Sequence, residues 1–241
     1  MSGLSVSSQN CLRRATTRQK GSATVPGTTV RLLTKTSKMP GPSWSIPAHK
    51  ACPRANGTIC DDCYASKGCY RWRTTEHAQL ARFAWTVESM RTPAGREQWV
   101  TYMVAAIRQS SCRYFRVHDS GDMFSPAYAE SWLEVCRLLP DVCFWIPTRA
   151  WQQPAGPLPL FDPLLGVLRK LASLPNVTVR PSALNFGDHA PVVAGLHAGS
   201  TADVPDVFRA RQCPAYNQGG HCGDCRTCWD TKDTPVSYCR H

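Results

Sequence analysis

Cys112-Arg113-Tyr114-Phe115-Arg116-Val117-His118-Asp119-Ser120-Gly121-Asp122-Met123-Phe124-Ser125-Pro126 holds a strand, a polar turn and the opening of a helix in one run. Residues 112–117 read as a short buried strand. Ser125-Pro126 then supplies an N-cap followed by a first-turn proline, and Trp132, Val135 and Leu138 continue at helical spacing until Pro140. The same grammar repeats downstream. Residues 142–146 read as the next strand, Asp162-Pro163 opens a helix carrying Leu164, Leu165, Val167, Leu168 and Leu171, and residues 176–179 read as a third strand. Strands alternating with helices in this way predict an α/β fold of parallel βα units joined by right-handed crossovers.

Ligands of parallel α/β sheets and barrels bind beyond the carboxyl ends of the strands. All three exits here are polar: His118-Asp119-Ser120-Gly121-Asp122, then Thr148-Arg149, then Arg180-Pro181-Ser182 followed by Asn185. Together they predict one rim. His118, Asp119 and Asp122 are the candidates for proton transfer and hydrogen bonding to a reacting molecule. Arg149 and Arg180 suit a carboxylate or phosphate, and Ser120, Ser182 and Asn185 are candidate binding residues beside them.

Upstream, Ala78, Leu80, Ala81, Ala84, Trp85 and Val87 recur at three- and four-residue spacing, which predicts a helix starting near Thr74. A second helix is expected over residues 97–108, with Trp99, Val100, Met103, Val104 and Ile107 inward. Residues 1–37 read as a basic, poorly ordered arm containing a short strand over 28–33. The α/β domain then occupies 38–205, and 206–241 form a cysteine-rich extension.

Thirteen cysteines, several at Cys-x-x-Cys spacing, point to metal ligation rather than to a disulfide scaffold. The C-terminal group is Cys213-Pro214, then Cys222-x-x-Cys225-x-x-Cys228. Three thiolates from one curled loop and a fourth from a remote Cys-Pro suit an iron–sulfur cubane, with zinc as the alternative. The N-terminal group is Cys52, Cys60 and Cys63, with Cys69 further on. Three ligands on a four-iron cluster leave one iron open for the amino and carboxylate groups of S-adenosylmethionine. A fourth would close the site, so Cys69, read here as a ligand or as an apolar filler, decides the chemistry. Cys136 and Cys143 read as core residues.

The chain has 241 residues, 42% of them hydrophobic, enough for a real core. No apolar run approaches the roughly 20 residues that span a bilayer. No apolar segment of an export signal precedes the basic N-terminus, so a cytoplasmic protein is expected. The net charge of +11 is concentrated early: nine Lys or Arg, among them Arg13, Arg14, Arg18 and Lys20, precede the first acid, Asp61. Such an arm suits nucleic-acid phosphates or a solvated tail.

Lys38-Met39-Pro40-Gly41, Cys60-Asp61-Asp62-Cys63-Tyr64-Ala65-Ser66-Lys67-Gly68, the run from Phe115 to Ser125, and Cys213-Pro214-Ala215 through Cys228-Trp229 resemble, in combination, the gene product 88 family of actinobacteriophages and related plasmids. The resemblance covers residues 38–241. It implies a phage or mobile-element protein working in the host cytoplasm. More loosely, Cys60-x-x-Cys63-Tyr64-Ala65 with the polar strand exits is similar to radical S-adenosylmethionine-like phage proteins built on partial barrels. That likeness implies cluster ligation by Cys52, Cys60 and Cys63, with cofactor and substrate at the strand exits and an electron donor as partner. The long interval from Cys52 to Cys60 and the extra Cys69 depart from the usual pattern. Two functions are therefore expected: an iron–sulfur enzyme acting on an unidentified, nucleotide or nucleic-acid substrate, or a nucleic-acid-binding protein held together by structural zinc or a closed cluster.

Overall fold

A computed structural model describes residues 23–54, 57–152, 162–203 and 210–239. Its centre is a five-stranded sheet in the order β1 (Thr34–Lys35), β2 (Pro42–Ser45), β3 (Tyr114–Ser120), β4 (Cys143–Thr148) and β5 (Val177–Pro181). Only the β1–β2 pairing is antiparallel, and β2 through β5 run parallel in chain order. The helices α1 (Arg73–Met90), α2 (Pro93–Gln109), α3 (Pro126–Leu138) and α4 (Pro163–Ala172) follow the same order. Neighbours among them pack side by side.

Strand order never reverses, so there is no switch point of the doubly wound kind, and every parallel strand exits on one rim. The sheet has open edges at β1 and β5. It is an open α/β sheet rather than a closed barrel.

The alternation of side chains divides the sheet into two faces. Phe115 and Val117, Phe144 and Ile146, and Val177 and Val179 join Trp44, Trp99 and Trp132 in the main core under the helices. Trp44 lies edge-on to Trp85, Trp99 and Trp132 at centroid distances of 6.4, 5.9 and 6.4 Å. The opposite face carries Tyr114, Arg116, Trp145, Thr178 and Arg180. A smaller apolar cluster of Met39, Trp145 and Trp229 covers part of it.

Helix α1 buries the polar Gln79, Arg82, Thr86 and Ser89 most deeply, a face the apolar spacing does not announce, while Ala78, Ala81 and Trp85 are partly buried against the core and Leu80 is exposed. This helix crosses backbone acceptors: Arg82 donates to the carbonyls of Arg31 and Ser45, and Gln79 to Ser45 Oγ. Burial lowers the Arg82 pKa to about 10. Two expectations need correction. The early strand is Thr34–Lys35, not 28–33, and Val25, Val30 and Leu32, assigned to the arm, are buried in the main core. Residues 1–22 lie outside the described residues.

The N-caps match the sequence reading. Ser125 accepts from the Tyr128 N–H, and Asp162 from those of Leu164 and Leu165. Beyond β5 the chain forms a small parallel sheet in the order β6 (Ser200–Ala202), β8 (Val236–Tyr238), β7 (Arg211–Gln212).

Two glycines permit close approach. A Cβ on Gly41 would lie 1.9 Å from the Tyr114 carbonyl oxygen; Gly121 has φ +88°, and a Cβ there would lie 2.3 Å from Ile46 Cγ1. Gly121→Ala therefore combines left-handed strain with overpacking. It should cost about 2–4 kcal/mol in denaturant unfolding; a loss below about 1 kcal/mol would contradict this account of the turn.

Candidate functional site

The segment between β2 and α1 holds Cys52, Cys60 and Cys63 in a chain of turns and 3-10 helices over Ile59–Asp62, Tyr64–Ser66 and Gly68–Arg71. It leaves the carboxyl end of the first parallel strand and is stitched to the next three exits. At the β3 exit the Asp122 N–H donates to the Ala51 carbonyl (3.1 Å). At the β4 exit Arg54 Nη1 donates to the carbonyls of Ala150 (2.7 Å) and Gln152 (2.9 Å). Beyond β5, the Ile59 N–H donates to the Leu184 carbonyl (2.7 Å). Arg54 also forms a bidentate ion pair with Asp162. Neither Arg54 nor Asp162 stands out in the sequence as a pair, because more than a hundred residues separate them.

Cys52, Cys60 and Cys63 lie near enough to act on one another's charge. Burial raises the Cys52 thiol pKa, and Asp122, Cys60 and Cys63 raise it further. Burial also raises Cys63, where Cys60 acts in the same direction and Arg149 in the opposite one. Cys69 is exposed and is not among the groups acting on Cys52. It is therefore no apolar filler.

Asp122 is buried and tied at both oxygens. Thr148 Oγ1 (2.6 Å) and the Met123 N–H (2.7 Å) donate to Oδ1, and the Arg149 N–H (2.8 Å) to Oδ2. Burial pushes its carboxyl above the usual range while those donors pull it back. Arg149 Nε donates to the Ala183 carbonyl (2.9 Å), which bridges the β4 and β5 exits.

His118 and Asp119 form a bulge in β3, because Trp44 pairs with Val117 while Ser45 pairs with Ser120. The bulge turns the two side chains to different surroundings. His118, at φ +72°, faces α3, with Nε2 2.8 Å from the Tyr128 hydroxyl. Burial, then Arg116, lowers its pKa to about 3, so it is neutral at physiological pH. Asp119 meets residues absent from the sequence reading: Ser43 Oγ donates to Oδ1 (2.8 Å), the Tyr70 hydroxyl to Oδ2 (3.0 Å), and the Tyr64 hydroxyl to the backbone carbonyl. Arg116 Nη2 donates to the Tyr64 hydroxyl (3.2 Å). Burial raises the Asp119 carboxyl against the pull of Arg116, Ser43 and Tyr70. The Cys63-Tyr64 step was the sequence signal that could have found this network.

The remaining candidates divide. Ser120 is buried, and its hydroxyl has no hydrogen-bond partner among the described residues. Ser182 Oγ accepts from Ser200 Oγ (3.2 Å), and Asn185 donates to Asp188. Arg180 does not reach the rim. It lies inside β5, fully buried, donating to the carbonyls of Ala198, Gly199, Thr231 and Thr234. Its position within the strand aims it at the second face of the sheet, so it secures later segments instead of binding a ligand.

Cys213, Cys222, Cys225 and Cys228 form the second group. Burial raises Cys222, with Cys213 and Cys225 adding to the rise and Lys38 and Arg226 opposing it. Cys228 is pushed up to about 11, first by burial, with Cys213 and Cys222 contributing.

Among the described residues no three His, Cys, Asp or Glu side chains form a ready coordination shell for a single ion. Tetrahedral zinc draws its sulfurs to about 3.8 Å from one another, given Zn–S bonds near 2.3 Å. A cubane binds each thiolate to a different iron and keeps the donors further apart. Thiolate donors as such suit an iron–sulfur cluster or zinc.

The sequence profile described as Gene product 88 matches residues 7–231, a longer span than the motifs alone suggest. The chain is 30% identical over 130 residues to the Gene 88 protein of Mycobacterium phage L5, covering 50% of this chain and 52% of that protein. It is 26% identical over 199 residues to the Gene 88 protein of Mycobacterium phage D29, covering 74% and 78% respectively. The chain thus aligns with about half the length of the first relative and over three quarters of the second. No solved structure matches it.

Proposed function

The chain belongs to the gene product 88 family, and from that premise we propose that it is an iron–sulfur enzyme of the radical S-adenosylmethionine type. The observation carrying this reading is the cysteine loop: it follows the first parallel strand and is bonded across the next three strand exits. Sequential parallel strands with helices stacked in the same order also suit a partial barrel, the finer form of the α/β sheet described above. A four-iron cluster on Cys52, Cys60 and Cys63 would supply an electron, received from a one-electron donor protein, for reductive cleavage of S-adenosylmethionine at its open iron.

The chain's own groups bind, orient and exclude water. Asp122 is a positioning residue, since its carboxylate accepts from Thr148 and Arg149 at the β4 exit and its N–H donates to Ala51 in the cysteine loop. Arg149 brings positive charge beside Cys63 for a carboxylate or phosphate. Tyr70 and Asp119 hold a proton in a buried hydrogen bond at the wall of the site. His118, neutral behind the bulge, fixes that wall through Tyr128.

The substrate class we favour is nucleic acid or nucleotide. Trp72 is 66% exposed, and Arg71 and Arg73 on either side of it are exposed too. Tyr64, 52% exposed, lies on the same segment. Exposed aromatic rings among cations suit base stacking and phosphate contact. The same rim favours the second reading, a nucleic-acid-binding protein with structural metal. The arginines and lysine at positions 13, 14, 18 and 20 lie outside the described residues.

Anaerobic protein with dithionite and S-adenosylmethionine distinguishes the two. The enzyme reading expects cofactor cleavage that falls at least about a hundredfold in Cys60→Ala. Wild-type protein that contains zinc without iron and leaves the cofactor intact would overturn it. Salt-sensitive binding of single-stranded DNA alone would then favour the binding protein.

A further inference from the structure

We infer that Cys213, Cys222, Cys225 and Cys228 bind a second, fully ligated iron–sulfur cluster, and that this cluster clamps the second face of the five-stranded sheet shut. The inference goes beyond the proposed reaction and does not depend on it.

Two stretches of backbone carry the thiols, Cys213 after β7 and the loop over 222–228. Cys213 leaves β7, with its N–H donating to the Ser237 carbonyl (2.8 Å). Cys222 donates its N–H to the Lys38 carbonyl (2.8 Å), while His221 Nδ1 lies 2.8 Å from the Ser37 carbonyl oxygen. These two contacts tie the loop to the approach to β2. Cys225 closes a tight turn onto the Cys222 carbonyl (3.0 Å). Cys228 sits on the short helix α5 (Thr227–Asp230), with Sγ 3.3 Å from the Tyr238 hydroxyl. Beside Cys213 lies a small cavity lined also by Lys38, Tyr216, Tyr238 and Cys239.

Charge points to what fills the site. Lys38 and Arg226 stand beside Cys222, and Arg180 beside Cys228. None of these three cations has a carboxylate partner among the described residues, whose salt bridges all involve other groups. Four thiolates on a cubane carry net negative charge, which three unmatched cations would balance. Their other partners are neutral: backbone carbonyls for Arg180 and Arg226, and the rings of Tyr238 and Tyr114 for Lys38 and Arg226.

The clamp follows from the next residue. Trp229 inserts between Tyr114 and Trp145, with centroids at 5.6 and 5.3 Å. Its Nε1 donates to the Phe115 carbonyl (2.9 Å), and its own carbonyl accepts from Thr178 Oγ1 (2.6 Å). Fixing Cys228 to a cluster therefore fixes the tryptophan that covers the sheet.

The test uses the full chain, purified without oxygen and assayed for iron, sulfide and zinc. The triple variant Cys52→Ser/Cys60→Ser/Cys63→Ser removes the first set of ligands and is expected to keep about four irons and four sulfides per chain. Cys222→Ser/Cys225→Ser should lose that complement and be cut by trypsin after Arg211 about tenfold faster. A triple variant without iron, or with zinc in its place, would overturn the inference. So would a Cys222/Cys225 variant that keeps both its full iron and its protease resistance. If only the proposed enzyme site is wrong, wild type and the triple variant carry the same four irons.

Discussion

Arg180→Met is expected to destabilise the protein by about 4 kcal/mol, the largest loss of any single substitution considered for the sheet. The guanidinium is fully buried and donates to four carbonyls: Ala198 and Thr231 at 2.7 Å, Thr234 at 2.9 Å and Gly199 at 3.3 Å. Hydrogen bonds to a charged group contribute about 1.5–3 kcal/mol each, and burying the cation offsets much of that sum. Methionine fills most of the volume but leaves four buried carbonyls without their donor. The denaturant midpoint of the variant should fall with little change in slope. A shift worth less than about 1 kcal/mol would mean that the segments around Thr231 and Thr234 hold to the sheet without it.

The second large effect is at Arg54. This arginine spans the β4 exit and the start of α4, donating to two carbonyls and pairing with Asp162, whose side chain is 4% exposed. Arg54→Met should cost about 3 kcal/mol near neutral pH. Its hydrogen bonds, joined by those of the helix N-terminus, hold the Asp162 carboxyl below its ordinary value. A carboxylate depressed in the folded state gives stability that is complete above its unfolded pKa, near 3.9, and lost as pH falls through the folded value. The difference in unfolding free energy between wild type and variant should therefore be flat from pH 7 to about 5 and shrink below about pH 4. A difference that stays constant down to pH 2.5 would show that the ion pair contributes nothing and that only the two carbonyl contacts matter. Because the same side chain ties the Cys52 loop to the rim, the variant should also bind less iron when purified without oxygen.

Local signals made the middle of the fold legible. The run from β3 to β5 announced itself through two N-cap–proline pairs and apolar spacing, and the structure has those elements. Strand β2 escaped because Pro42-Ser43-Trp44-Ser45 is only four residues long and follows a Pro-Gly-Pro break. Helix α1 was legible from its apolar spacing, but the polar positions it buries were not, because Gln79 and Arg82 serve acceptors far away along the chain. Cys60-x-x-Cys63 and Cys222-x-x-Cys225-x-x-Cys228 stand out by local spacing alone. The partners of Asp119 do not, since Tyr70, Tyr64 and Ser43 stand 49, 55 and 76 residues away along the chain. Arg180 was misjudged by strand length: with β5 running to Pro181, the side chain belongs to a face that only the later chain covers.

The two faces of the sheet are completed at different moments of synthesis. The fully buried core beneath the helices is encoded by residue 179, within β5, yet Trp145 and Arg180 wait for Trp229, Thr231 and Thr234 to emerge. A nascent chain halted between those points would present a bare tryptophan and an unanswered guanidinium on one side of an otherwise finished sheet. That half-clad intermediate is where a chaperone would be needed, and where a ribosome stalled near residue 200 would release an aggregation-prone product.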